Sequence, residues 1–141
     1  MNAHTPKKPI IRVRDIMRTE FGTIDGIATV DEALRMMKGL KTSVLVVRKR
    51  HEDDEYGLIT SADIARHVLA RDRSPERVNV YEVMEKPVIT VHPDMDIRYC
   101  SRLFARYSLV RAPVVEQRKV IGMVSPNSLV LDGLYRLLKA D

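Results

Sequence analysis

The sequence carries little that could brace it covalently or hold it in a bilayer. Its 141 residues include one cysteine, Cys100, so no internal disulfide can form. The place of Cys100 among apolar helical positions suits a small buried hydrophobe, not a reactive thiol. No apolar run approaches the roughly 20 residues that cross a bilayer, so a helical membrane protein is not expected. The opening stretch MNAHTPKKPI lacks the apolar centre of a secretory signal and reads, over residues 1–10, as a short mobile arm. A cytoplasmic protein is therefore expected. Catalytic machinery is equally sparse: there is no G-x-x-x-x-G-K phosphate loop and no serine in a nucleophile elbow. His4, His51, His67 and His92 fall in an arm, a charged loop, a helix and a strand end, and none pairs with cysteine or a carboxylate at metal-ligand spacing. Neither an enzyme nor a metal protein is expected.

What is present is an ordinary globular composition. Apolar residues make up 45% and charged residues 30%, close to the averages for folded domains, and the length suits one domain with a real core. The net charge of +5 is spread along the chain instead of being gathered in a basic tail, so it names no partner.

The chain is written twice. VRDIM at Val13–Met17 returns as VYEVM at Val80–Met84, and each is followed by an extended piece, GTI ending at Ile24 and VITV ending at Val91. Then comes a helix signal: Thr29 and Asp96 are good N-caps, and Thr29 with Glu32 has capping-box spacing. The apolar stripes are Val30, Ala33, Leu34, Met37 and Leu40 in the first copy, and Ile97, Cys100, Phe104 and Tyr107 in the second. Met36 and Met37 read as core filler. The β-branched runs SVLVVR and APVVE continue through polar loops into second strands, which predicts a hairpin in each copy. A helix closes each. The boundaries are 11–70 for the first repeat, 71–79 for a polar linker and 80–138 for the second repeat. The expected fold is therefore α/β (α+β): two β-α-β-β-α repeats packed as a pseudo-twofold pair, with small sheets flanked by helices.

In this order, DIM and GLITSADI in the first copy with EVM, TVHPD and RAPVVE in the second resemble the cystathionine-β-synthase (CBS) domain family. Its members occur as tandem pairs whose repeats end in G-h-h-[ST]-x-x-D before a helix, h being apolar. The resemblance covers Ile11 to about Leu138 and is to the small stand-alone prokaryotic type. The second copy departs from it, since Ser128 stands where Asp63 stands in the first.

Thr60 and Asp63 admit two readings. As a helix start, Thr60 caps and Asp63 at N3 favours the positive end of the helix dipole; Ser125 with Pro126 suits the same role in the second copy. As a ligand site, the helix start attracts an anion while an ionised Asp offers only acceptors, which suits the two donors of a ribose diol. The family resemblance implies the second arrangement, in a cleft between the copies. Carried onto this sequence it places Thr60, Ser61, Asp63, Thr42 and Ser43 on one side, and Ile89, Thr90, Val110, Arg111 and Ala112 on the other. Arg111 would be the phosphate ligand. A weaker second cleft would use Thr23, Ile24, Ser125 and Ser128, with no carboxylate for a diol.

The implied function is a non-enzymatic sensor with no cofactor. Its regulatory ligand would be AMP, ADP, ATP or S-adenosylmethionine, bound once per chain, and it would act as a homodimer signalling to an unknown protein target. The alternatives are a dimerising or docking scaffold without ligand, and a nucleic-acid-associated protein using Arg98, Arg102 and Arg106, which share a helix face with Tyr99 beside them and Tyr107 close to the apolar stripe. A nucleic-acid partner is not expected, because such an arginine row usually is only a solvated face, and a membrane is not expected for want of a long apolar run; the row's other reading is a docking surface for an acidic protein. Asp53 and Asp54, beside RKRH in a hairpin tip, read as solvated charges.

Overall fold

The computed structural model describes residues 9–139; of the arm expected over 1–10, all but the last two positions lie outside the described residues, as does His4. The fold is mixed α/β, with small sheets and helices in two compact units. Their boundaries differ from those of the sequence repeats. One unit is the continuous segment 20–88; the other joins the N-terminal residues through Thr19 to the segment from Ile89 onward.

In chain order the elements are α1 (Val13–Ile16), β1 (Thr23–Ile24), α2 (Val30–Leu40), β2 (Val44–Val47), β3 (Gly57–Thr60) and α3 (Ser61–Ile64). The last of these widens into a π-helical turn over Ala65–Leu69, and a 3-10 turn follows at Pro75–Arg77. Then come α4 (Val80–Val83), α5 (Ile97–Tyr107), β4 (Ala112–Glu116), β5 (Lys119–Val124), a second π-helical stretch at Ser128–Leu134, and α6 (Tyr135–Lys139).

In the unit 20–88 the sheet order is β1-β2-β3, with β1 parallel to β2 and β2 antiparallel to β3 in the register Val44↔Thr60 to Val47↔Gly57. Glu85 bridges Leu58 on the far edge of β3. The other unit repeats this layout: β4 and β5 form the hairpin, Val91 bridges Val114 in parallel and Arg18 bridges Met123. The expected strand VITV is thus reduced to a single bridge at Val91, whose N–H donates to Pro113 and whose carbonyl accepts from Val115.

The short helices show why the units cut across the repeats. Four residues are too few for a helix to stand alone in water, so α1 and α4 exist through burial. Val13 and Ile16 are buried in the core with Ile97, Cys100 and Phe104; Val80 and Val83 are buried with Val30, Ala33 and Met37. Each such side chain contributes about 1.5–3 kcal/mol relative to exposure. Matching backbone bonds fasten them: Val13 N–H to Met95 and Val80 N–H to Ala28, with Ile97 N–H to Ile11 and Val30 N–H to Val78. The first helix of each repeat therefore completes the core built around the other repeat's sheet. The polar stretch 71–79 also adds to the core, because Val78 is 2% exposed.

The helical stripes hold at their centres and fail at their ends. Val30, Ala33 and Met37, like Ile97, Cys100 and Phe104, are buried, whereas Leu40 and Tyr107 are exposed in the last turns. Both helices stop in the same way, with Lys41 (φ 56°) and Ser108 (φ 53°) left-handed and the next N–H returning to Met37 or Phe104.

Candidate functional site

The GLIT strand delivers Thr60 to the end of the sheet, where the backbone leaves β geometry and α3 starts. The free N–H groups of that first turn need acceptors. Thr60 Oγ1 accepts from Asp63 N–H at 3.1 Å, and Asp63 Oδ2 accepts from Thr60 N–H at 3.0 Å and from Thr60 Oγ1 at 2.9 Å. This is a complete capping box, and it uses only one of the two carboxylate oxygens of Asp63. Both residues are half-buried.

The hairpin register brings the segment before β2 to the same place. Val44 stands opposite Thr60, Ser61 N–H donates to the Ser43 carbonyl at 2.9 Å, and Thr42 Oγ1 accepts from Val44 N–H at 3.3 Å. Thr42, Ser43, Thr60, Ser61 and Asp63 thus form one cluster of small polar groups. Thr23 pairs with Val46 nearby, while Ile24 is buried in the core, so its side chain is closed to a ligand.

In the other unit the equivalent helix start has a serine in place of the acid. Ser125 Oγ accepts from Ser128 N–H at 3.4 Å and lies 3.3 Å from Ser128 Oγ, which reproduces the geometry of Thr60 and Asp63 with a hydroxyl. Ser128 is 2% exposed. Ala112 pairs with Val124, and Val91 is bonded to Pro113, so the segments carrying Thr90 and Arg111 both approach this end of the hairpin. Ala112 is fully buried and can offer only its backbone; Ile89 and Val110 are exposed apolar side chains, Thr90 is exposed and Arg111 is half-buried.

Two groups behave differently from expectation. Asp54 is not a solvated charge: its side chain is 9% exposed, Lys86 Nζ donates to it at 2.8 Å, and Arg50 donates through its N–H at 2.9 Å and its Nε at 3.3 Å. The Lys86 bond, then the Arg50 backbone bond, hold its carboxyl well below the usual range. Nothing local in the sequence links Asp54 to a lysine 32 residues away. His92 does meet carboxylates, since the fold brings Glu116 to Asp94 beside it, with ligand atoms within 4.8 Å. Arg14 occupies the negative side of that cluster, donating to Asp94 at 2.9 Å and Glu116 at 2.8 Å. At the hairpin-tip end of the first sheet, opposite the Thr60 end, lies an open recess of about 930 Å³ walled by Val47, Ile27, Tyr81 and Met84. Among its cations, Arg48 is paired with Asp25 and Lys86 with Asp54.

The duplicated hairpin unit, each copy ending in a glycine-led strand that runs into a capped helix, defines a paired-repeat α/β module. The chain belongs to the CBS domain family, matching it over residues 13–70 and 80–131. It is 28% identical over 120 residues to the CBS domain-containing protein YhcV of Bacillus subtilis, which spans 85% of this chain and 84% of that one. Further curated relatives are longer: the chain spans 51% of one and 62% of another, and 23–24% of several whose names are those of enzymes. Among solved structures it is similar to the hexameric CBS-CP12 protein from bloom-forming cyanobacteria, with 35% identity, a TM-score of 0.84 and coverage of 90% of this chain and 73% of that one. It is also similar to the CBS domain pair of protein MJ0100 in complex with 5′-methylthioadenosine and S-adenosyl-L-methionine, with 27% identity, a TM-score of 0.74 and coverage of 94% and 98%. No helix among the described residues is long and apolar enough to cross a membrane.

Proposed function

We propose that the chain is a ligand-sensing regulatory module that binds one adenosine-containing molecule per chain and passes its occupancy to a partner protein. The observation that carries this reading is the half-buried Asp63 carboxylate. Its capping box uses Oδ2 alone, and Oδ1 remains for a ribose hydroxyl. The adenosine derivatives held by the MJ0100 domain pair support the same ligand class. In this reading Asp63 takes the ribose, Thr60, Ser61, Thr42 and Ser43 supply small polar contacts, Arg111 takes the phosphate, and Ile89, Thr90, Val110 and Ala112 complete the adenine surroundings. Ser125 and Ser128 belong in this reading to a second, weaker cleft with Thr23 and, through its backbone alone, Ile24. Ser128 is buried beside Ser125 and offers a diol no carboxylate. The ligand favours one arrangement of the module by differential binding, with no catalysis. Exposed Val130, Leu131, Leu134 and Leu138 on the closing helix support pairing with a second copy.

A second reading is a scaffold without ligand, favoured by the completeness of the Thr60–Asp63 capping box as a helix start. Calorimetric titration with AMP, ADP, ATP, NADH and S-adenosylmethionine separates the two. Saturable binding near one site per chain is expected with one of them. Asp63→Asn, which keeps an oxygen for the Thr60 N–H but removes the charge, weakens it by about tenfold or more. No heat from the folded protein with any of the five establishes the scaffold.

A further inference from the structure

We propose that the solvent face of α5 is a docking surface for an acidic, amphipathic segment of a partner protein. The two units differ in charge. Among the described residues, the unit containing α5 carries eleven Lys and Arg against five Asp and Glu, while the unit 20–88 carries eleven against thirteen.

Within the basic unit four of the five carboxylates are already engaged, and the fifth, Asp132, lies on the closing helix and not on α5. Asp94 and Glu116 hold Arg14, Asp96 caps α5 and lies 3.6 Å from Arg98, and Asp15 closes the box of α1. Arg102 and Arg106 are exposed, and among the described residues no carboxylate lies at ion-pair distance from either. Each instead lies over a tyrosine, Arg102 at 5.1 Å from the Tyr99 ring and Arg106 at 5.7 Å from the Tyr107 ring. Stacking restricts the guanidinium while leaving its in-plane N–H donors for carboxylates.

The matching helix of the other unit shows what a merely solvated face looks like. There α2 mixes Asp31 and Glu32 with Arg35 and Lys38, and Arg35 donates to Asp31 one turn away. The sequence of α5, IRYCSRLFARY, has no acid at all, so like charges repel at successive turns with no compensation inside the helix. Tyr99 (62% exposed), Tyr107 (52%) and Val110 (66%) add apolar surface along and just beyond that row. Tyrosine and arginine side by side are the side chains most enriched in the energetic centres of protein interfaces. An aliphatic Val110 serves a protein partner and gives nothing to a phosphate backbone. Arginines four residues apart rise about 6 Å, so carboxylates one helical turn apart on a partner segment match them.

The inference shares Val110 with the nucleotide reading but stands on Arg102, Arg106, Tyr99 and Tyr107, which that reading does not use, and its test is independent of Asp63. A labelled helical peptide with glutamate at every fourth position and leucines between serves as probe. Its lysine-for-glutamate counterpart and an oligothymidine strand are followed beside it by fluorescence anisotropy. The full chain is expected to bind the glutamate peptide saturably, and Asp63→Asn to bind it equally. Arg102→Glu with Arg106→Glu is expected to lose about tenfold or more and to acquire binding of the lysine peptide. Should that variant unfold, Arg102→Gln with Arg106→Gln carries the same test of loss. Absence of glutamate-peptide binding, or equal binding by the charge-reversed protein, overturns the proposal. Tighter, steeply salt-dependent binding of oligothymidine overturns it in favour of nucleic acid.

Discussion

Met17 lies against Gly122 so closely that a Cβ on the glycine would sit 2.7 Å from the methionine Sδ and 2.9 Å from the Arg18 carbonyl oxygen. The other copy repeats the relationship: a Cβ on Gly57 would meet Met84 Sδ at 3.1 Å and the Glu85 carbonyl at 3.0 Å. The glycine that opens each G-h-h-[ST] strand and the methionine that ends each VRDIM-like helix are two sides of one contact. Paired backbone bonds between Arg18 and Met123, and between Leu58 and Glu85, prevent the carbonyls from moving away. Gly122→Ala and Gly57→Ala are expected to destabilise the protein by about 1–3 kcal/mol through overpacking, Gly122→Ala the more. Urea denaturation of the two variants checks the order.

Gly39 gives the opposite result. It lies in the last turn of α2, is exposed, and would meet nothing within 4 Å if it carried a Cβ. Gly39→Ala is expected to stabilise by about 0.5–1 kcal/mol. At Lys41 and Ser108, which hold the left-handed positions at the ends of α2 and α5, glycine is the better residue. Lys41→Gly and Ser108→Gly are each expected to raise the thermal midpoint.

Asp54 makes the stability of the hairpin tip depend on pH. Its carboxyl is held below its ordinary value by Lys86 and Arg50. Its stabilising effect is therefore present above the unfolded pKa of about 3.9 and is lost as pH falls through the lower folded value. Asp54→Asn is expected to lower the urea midpoint at pH 7. The gap from wild type should narrow as pH falls below about 4; a gap of constant size would show that the charge is not the cause.

Cys100 is buried, and desolvation pushes its thiol up to about 11. At pH 8 roughly a thousandth would be thiolate, against about a quarter for an exposed cysteine. Labelling by a thiol-specific disulfide reagent is expected to be at least a hundredfold slower in the native protein than in urea, and fast native labelling would contradict the buried assignment.

Much of the fold was legible because its signals are local. The caps at Thr29 and Asp96 and both hairpins follow from residues a few positions apart, and the structure contains each of them; the duplicated order of elements holds except that VITV is a single bridge at Val91. What escaped is non-local. Val13 and Val80 look equivalent in the sequence, and nothing near them states that each fills the core around the other repeat's sheet. Asp54 looks like any loop acid until Lys86 is brought to it, and His92 lacks a carboxylate cluster until Glu116 arrives from the hairpin. Helix ends misled as well: Leu40 and Tyr107 continue the apolar stripes by spacing, yet both are exposed in the last turns. At the candidate site, the small polar residues and the acid of the first copy were legible, and so was the missing acid of the second. The burial of Ser128 beside a half-buried Ser125 was not.

The crossing of the chain from one unit to the other at Thr19–Glu20, and back at Val88–Ile89, bears on how such a molecule could arise or be dissected. A lone first repeat lacks α4, which completes the core of its own unit, and carries a first helix, α1, that packs in the other. Two identical single-repeat molecules could satisfy each other by trading that helix, and a tandem duplication would then make the trade internal. A gene fragment cut at the repeat boundary severs that arrangement, so an expression fragment should follow the compact unit, 20–88, in place of the repeat, 11–70.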